Sequence, residues 1–250
     1  MNPNPQLITD SLVRRLNDCY NQLNVPDLKL IRLEEDALKL REQDRAAGEM
    51  VLGLIAGLRA DKAQVHRHYD AAKYFGDQFF IHRNFSVALA GARDYQASLK
   101  ALQDAIRTVD VTNPTELSFL CTSAVLFGLT EVIMEMRDKL KLLQGSNFDE
   151  SFLPSIEKLQ QLNVRDLHEQ VMLVLGILGS HEVQVYEIAV NVGPLYHEEY
   201  AEYVIQISEQ DSERLAQYQI EIYDAVAQYE IDHDLPSQPI GFRLVQREPS

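Results

Sequence analysis

The chain has 250 residues, of which 46% are hydrophobic and 24% are charged, and its formal net charge is -15 at pH 7. This length allows one large domain or two ordinary ones, and the apolar fraction is too high for a chain that is disordered throughout. No segment has the roughly 20 apolar residues that a membrane span needs, and the acidic excess argues against nucleic acid as the main ligand, because phosphate binding depends on Lys and Arg.

The composition also limits the chemistry that we expect. Two cysteines, Cys19 and Cys121, provide neither a disulfide framework nor a Cys-rich zinc site. The sequence contains no Gly-rich phosphate loop, nucleophile elbow or kinase motif, so we expect no cofactor and no catalytic residue. The first residues lack the basic and apolar regions of a signal peptide, and we therefore expect a cytoplasmic protein.

Charge divides the chain into two parts. Residues 148–250 carry 19 acidic and 5 basic side chains, whereas residues 1–147 carry 19 acidic and 18 basic ones. Such an asymmetry suggests separate domains. We place the boundary near residue 180, where the helical period also ends, and predict domains at 1–180 and 181–250.

The first part shows helical periodicity almost throughout. We predict nine or ten helices joined by short loops, which implies antiparallel neighbours. Helices are expected to start at Asp10 or Ser11, Pro26, Asp61 and Asn113-Pro114, and another holds Ala47, Met50, Leu54 and Leu58. We expect an interruption at Gly128 within 117–143, a break at residues 145–147, and further helices at about 150–163 and 166–178. The stretch from Val171 to Gly179 is predicted to be an apolar helix, in which Gly176 and Gly179 are small enough for close packing.

Small residues recur at fixed intervals in this part. Ser86 is followed by Ser98 twelve residues later and by Ala105 seven residues after that. The same spacing recurs one unit earlier at Gly53, Val65 and Ala72, and more weakly at Cys121, Ile133 and Leu140.

Residues 79–112 resemble a tetratricopeptide repeat, a two-helix unit with small residues at its packing positions, and residues 46–78 resemble it more weakly. His82, Ser86 and Asp110 depart from the family's usual aromatic, Gly and Pro. The resemblance implies a concave surface that binds a peptide or partner protein. Arg83 and Asn84 would lie near that surface and hold a partner's carboxylate or backbone; the alternative is that they are ordinary solvated helix residues. A generic helical bundle remains the alternative.

The second part has a different pattern. We predict strands at 183–192, ending at Gly193-Pro194, and at 202–207, then a helix capped by Ser208 or Asp211, and a last strand at 240–245. In that helix Leu215, Tyr218, Ile222 and Val226 are spaced for one buried face. The fold class is therefore mainly α, with a helical-hairpin array followed by a small β-β-α-β domain.

The turn between the first two predicted strands combines aromatic and acidic residues. We predict that it contacts a basic partner, because tyrosine rings supply apolar area while carboxylates steer the encounter. The candidate residues are Tyr196, Glu198, Glu199, Tyr200 and Glu202. An acidic surface that only keeps the protein in solution is the alternative.

The histidines His66, His68 and His82, with Asp70, are the only cluster that we tested as a metal site. His66 and His68 point to different faces of a helix, and only His66 with Asp70, or a long-range pair with His82, could share one. We interpret these histidines as surface or groove-lining residues and expect no metal. We expect a non-catalytic protein-binding protein, as an adaptor, a chaperone or an inhibitor of immunity or antitoxin type, with a basic protein partner and no membrane or nucleic-acid contact. Self-association, an enzyme with an active site between the two parts, and a structural subunit stay open.

Overall fold

The structure is a computed structural model that describes residues 5–20, 22, 25–143, 153–162, 164–195 and 198–247. Within these ranges the chain forms eleven helices and three strands. The fold is mainly α with a small α+β arrangement near the C-terminal end, as predicted. The Cα positions group into two compact units, Met1–Thr108 and Val109–Glu248. The expected change from helix to strand occurs between Ser180 and Val185.

The first unit is helical over its described residues. Its helices are α1 (Pro5–Tyr20), α2 (Asp27–Gln43), α3 (Arg45–Leu58), α4 (Lys62–Ala72), α5 (Gln78–Gly91) and α6 (Tyr95–Thr108). Asp44, Asp61 and Asp77 each cap the helix that follows by accepting a hydrogen bond from a backbone N–H three residues later. Helix α3 lies at the centre, since it contacts α1, α2, α4 and α5.

Three helical hairpins have the same type of turn between their helices. The hairpins are α3–α4, α5–α6, and one formed by α7 (Pro114–Leu126) with α8 (Thr130–Leu142). Each turn contains one residue with positive φ. The backbone N–H of the residue after it donates to the carbonyl five residues earlier, so a carbonyl at the end of the first helix has a hydrogen-bond partner. The three bonds are Asp61 N to Ala56 O at 3.0 Å, Asp94 N to Leu89 O at 2.9 Å and Leu129 N to Ala124 O at 3.1 Å.

Several of the recurring residues lie where two helices touch. The Ser98 hydroxyl donates to the Ser86 carbonyl at 2.7 Å across the α5–α6 pair. Cys121 Sγ lies 3.6 Å from the Ile133 carbonyl in the α7–α8 pair, again twelve residues apart. A Cβ atom on Gly53 would overlap the ring of Phe85 on α5. These contacts are compatible with a tetratricopeptide-like array, and membership of that family stays a prediction.

The second unit combines helices with a sheet. Besides α7 and α8, its elements are α9 (Leu153–Gln161), α10 (Leu167–Ser180), β1 (Val185–Leu195), β2 (Glu198–Ile207), α11 (Ser212–Asp232) and β3 (Ile240–Gln246). Pro114 opens α7 and Asn113 caps it, as predicted. The predicted interruption between α7 and α8 falls at Gly128, whose φ is +65°. The turn at residues 145–147, which we expected to break the helix, lies outside the described residues.

The sheet has the order β1-β2-β3. Strands β1 and β2 are antiparallel, whereas β3 returns parallel to β2 after α11. One face carries alternate buried side chains from the two neighbouring strands: Ala201, Tyr203, Ile205, Ile207, Ile240, Phe242 and Leu244. Strand β1 does not end at Gly193-Pro194 as predicted, because Pro194 still pairs with Glu199. Proline is tolerated there because β1 is an edge strand and its missing N–H can face outwards.

Candidate functional site

Helix α11 buries one face against its own unit. Asp211 caps it by accepting from the backbone N–H groups of Glu213 and Arg214. Tyr218 and Ile222 are buried, and α11 contacts α10 and β3. Two of the four residues predicted for the buried face are therefore fully inside, while the other two, Leu215 and Val226, are half-buried.

The opposite face of α11 carries apolar side chains in solvent. Ile220 is 60% exposed, Tyr223 is 52% exposed and Ile231 is 70% exposed, and Ala227 between them is exposed as well. Their spacings of three, four and four residues place them on one side of a helix. We call Ile220, Tyr223, Ala227 and Ile231 the α11 stripe.

Negative charge surrounds the α11 stripe. Helix α11 carries five carboxylates, at Glu213, Glu221, Asp224, Glu230 and Asp232. Its one basic residue, Arg214, already lies 3.8 Å from a carboxylate oxygen of Glu209. The exposed apolar side chains are therefore set in an acidic surface.

The open face of the sheet adds to this surface next to Tyr223. Arg243 Nε donates to Glu202 Oε1 at 2.9 Å across β2 and β3. Tyr200 lies over Gly241, where a Cβ atom would overlap the tyrosine hydroxyl. Burial, together with the nearby Tyr223 and Glu202, raises the pKa of Tyr200, so its phenol stays protonated and available as a donor.

The predicted hairpin residues are distributed over this region. Tyr200 and Glu202 lie two apart on β2 and share the open face of the sheet with Arg243 of β3, which stands opposite Val204. Glu199 is exposed and belongs to the opposite face by alternation. Tyr196 and the side chain of Glu198 lie outside the described residues.

The two candidate residues of the helical part lie on α5. Asn84 is buried, and its side-chain amide donates to the Phe80 carbonyl at 2.7 Å, one turn earlier. Arg83 is half-buried. The Asn84 amide thus forms a hydrogen bond within its own helix. Partner binding by Arg83 and Asn84 stays a prediction.

The histidines each have a different partner. His66 Nε2 lies 2.8 Å from Asp94, His68 Nδ1 lies 2.6 Å from Glu49, and His82 Nδ1 lies 2.7 Å from the Tyr69 hydroxyl. In the described part of the chain, no group of three or more His, Cys, Asp or Glu side chains could hold a metal ion.

The α11 stripe was missed by the sequence analysis, although its signal is present. Both faces of α11 have apolar residues at helical spacing, and periodicity alone does not say which face is covered. Tyr223 and Ile231 are as apolar as the residues predicted for the buried face. Only the packing of α10 and β3 against α11 shows which of the two faces is buried.

Comparison with protein-family models, with curated proteins and with solved structures gives no match. None of the helices that the structure describes is long and apolar enough to cross a membrane.

Proposed function

We propose that this protein is a non-catalytic binding protein that engages a basic protein partner through the α11 stripe and the adjoining residues Tyr200 and Glu202. One observation carries the proposal: three large apolar side chains of one helix are more than half exposed within an acidic surface. An adaptor, a chaperone and an inhibitor would all use such a surface.

The arrangement matches the anatomy of a protein interface. Aromatic and aliphatic side chains at the centre supply the apolar area that association buries, and charged residues at the rim steer the encounter. The 13 acidic and one basic residues between positions 181 and 234 would repel a second copy of the same surface and attract a cationic one. This complementarity favours a basic partner over self-association through α11.

Affinity capture with variants of the α11 stripe tests the proposal. The tagged full-length protein and its Ile220→Ser/Tyr223→Ser/Ile231→Ser variant are used to capture partners, which are identified by mass spectrometry. Leu28→Ser on α2 is the matched control, because Leu28 is an apolar residue that is 72% exposed elsewhere. We expect a stoichiometric basic protein with the native chain and the control, and its loss with the triple variant.

The electrostatic part has a separate test. Since the rim charges are exposed, the association rate should fall steeply as salt is raised from about 0.05 to 0.5 M, because the Debye length falls below about 10 Å over this range and screens them. A partner that the triple variant still captures would exclude the α11 stripe. A partner whose association rate ignores ionic strength would exclude charge steering.

A further inference from the structure

A buried carboxylate–histidine pair joins α3 to α4 in the first unit. Glu49 Oε2 and His68 Nδ1 are 2.6 Å apart, and the two side chains are only 10% and 8% exposed. Arg41 of α2 approaches the other carboxylate oxygen of Glu49 at 3.5 Å. Burying a carboxylate costs free energy that two apolar residues in its place would avoid. The packing of α3 against α4 therefore does not require a charged or polar pair at these two positions.

The close approach of α2 to α3 places the arginine. A Cβ atom on Gly48 would overlap the backbone of Arg41, so only glycine permits the two helices to come this near. The side chain next to Gly48 is Glu49, and Arg41 consequently lies beside its carboxylate. Three helices thus contribute one side chain each to the cluster.

The hydrogen bond to Glu49 determines what His68 presents elsewhere. A carboxylate only accepts hydrogen bonds, so Nδ1 carries the hydrogen and the neutral ring has its lone pair on Nε2. Nε2 has no hydrogen-bond partner among the residues that the structure describes. In the neutral ring, Nε2 is then a hydrogen-bond acceptor whose direction is fixed by the bond to Glu49.

His68 lines a cleft between α2, α3 and α4. The cleft has a volume of about 310 Å³, which lies within the range of small-molecule sites. Apolar side chains of α3 and three arginines share its lining: Leu52, Ile55, Ala56, Arg41, Arg59 and Arg67.

Most of the cleft's charges already have partners. Arg59 Nη2 lies 2.8 Å from Glu34, and the Asp61 carboxylate accepts from the backbone of Gln64 as the cap of α4. Arg67, which neighbours His68 in the chain, forms no hydrogen bond or ion pair with a described residue. In a chain of net charge -15, the cleft therefore has an uncompensated cation beside a hydrogen-bond acceptor.

We propose that this cleft binds a phosphate monoester, with Arg67 and Arg41 on the anionic oxygens and His68 Nε2 accepting the hydrogen of the P–OH group. Arginine forks suit phosphate oxygens. A phosphate monoester exchanges its second proton near pH 6, so it can offer the O–H that a bare Nε2 requires. The apolar side chains of α3 would contact the organic part of the ester. The proposal is independent of partner binding at α11.

Titration of the full chain with three probes tests the proposal. The probes are phenyl phosphate, inorganic phosphate and sulfate at pH 5.5, below the pH near 6 at which a phosphate monoester loses its second proton. Binding is followed by calorimetry and by the imidazole and guanidinium NMR signals of His68 and Arg67. We expect saturable binding of phenyl phosphate, weaker binding of inorganic phosphate, and at least several-fold weaker binding of sulfate, which has no O–H at this pH. Shifts should be confined to the cleft.

Variants connect the binding to the named side chains. Arg67→Gln, on an exposed position, should weaken phenyl phosphate binding about tenfold, which corresponds to one charge-assisted hydrogen bond. Arg107→Gln on α6 removes another exposed cation from the same unit and should leave binding unchanged. The double variant Glu49→Leu/His68→Leu removes the acceptor without leaving a buried carboxylate unpaired, and it should abolish the preference for phosphate over sulfate. Equal affinity for phosphate and sulfate, equal effects of the two arginine variants, or the absence of saturable binding would overturn the proposal.

Discussion

Ser98 donates its hydroxyl hydrogen to the carbonyl oxygen of Ser86 at 2.7 Å, inside the core and between two antiparallel helices. A larger side chain at either position would separate α5 from α6. The twelve-residue spacing that the sequence shows is therefore the distance along the chain from one helix, through the turn, to the facing point of the next. The Cys121–Ile133 contact in α7–α8 has the same origin.

Removal of the Ser98 hydroxyl should lower stability. In Ser98→Ala the buried donor is lost, and we expect the free energy of unfolding to fall by about 1 kcal/mol. Ser118→Ala is the control for a hydroxyl bond outside the core, because Ser118 donates to the Pro114 carbonyl at 2.7 Å within its own helix on an exposed surface. Urea denaturation followed by circular dichroism measures both. A control that loses as much as Ser98→Ala would contradict the role of burial.

Glycine at position 57 should be required by the packing of α3. A Cβ atom there would lie 2.5 Å from the Ala88 carbonyl oxygen on α5 and 2.6 Å from the Tyr20 hydroxyl. Because the nearer atom is backbone, the helices must move apart, and we expect Gly57→Ala to cost about 1–3 kcal/mol.

The same substitution should have the opposite effect in α10. Contrary to the close packing that we expected at Gly176, a Cβ atom at this position would meet nothing within 4 Å. Gly176→Ala should therefore stabilise the protein by up to about 1 kcal/mol through helix propensity. Thermal unfolding of the two variants decides the matter, and a gain in Gly57→Ala would show that α3 and α5 are not this close.

The Glu49–His68 pair should show non-additive energetics. His68→Leu leaves the buried Glu49 carboxylate with one longer contact to Arg41, and we expect a loss of about 3 kcal/mol. In the double variant Glu49→Leu/His68→Leu no carboxylate remains to be compensated, so it should be more stable than His68→Leu alone. A double-mutant cycle of unfolding free energies measures this coupling. If the two single losses simply add, the pair is not coupled.

His82 should make stability depend on pH. Burial lowers the pKa of His82, Asp104 opposes that shift and Lys73 adds to it. Burial also raises the pKa of Tyr69, so its hydroxyl stays protonated and donates to His82 Nδ1. The folded state thus prefers neutral His82. This contribution is present above the unfolded pKa of about 6.5 and is lost as pH falls through the folded value.

A comparison with His82→Gln isolates that effect, since Gln accepts a hydrogen bond but does not titrate. The free energy of unfolding of the native chain, relative to this variant, should be larger at pH 7.5 than at pH 5. NMR titration should give His82 a pKa below 6.5. A relative stability that increases on acidification would show that the folded state instead favours the charged ring.

Local signals in the sequence were sufficient for most of the elements. Asp61, Asn113 and Asp211 begin helices because their side chains accept from backbone N–H groups nearby in the chain. Gly128 marks the break between α7 and α8 because the turn needs a positive φ. Strand β2 was predicted too short because glutamate has a low strand propensity. Glu198 and Glu199 nevertheless belong to the strand, since they pair with Leu195 and Pro194 of β1.

The sequence by itself determined where helices and strands form, because caps, turns and periodicity depend on residues within a few positions of each other. Only the tertiary structure decided which apolar face of α11 stays in solvent and which arginine, carboxylate and histidine meet at the cleft. Glu49 and His68 are 19 residues apart on different helices, and Arg41 belongs to a third. Their meeting depends on how closely α2, α3 and α4 pack, and that distance is set by long-range contacts that no local pattern records.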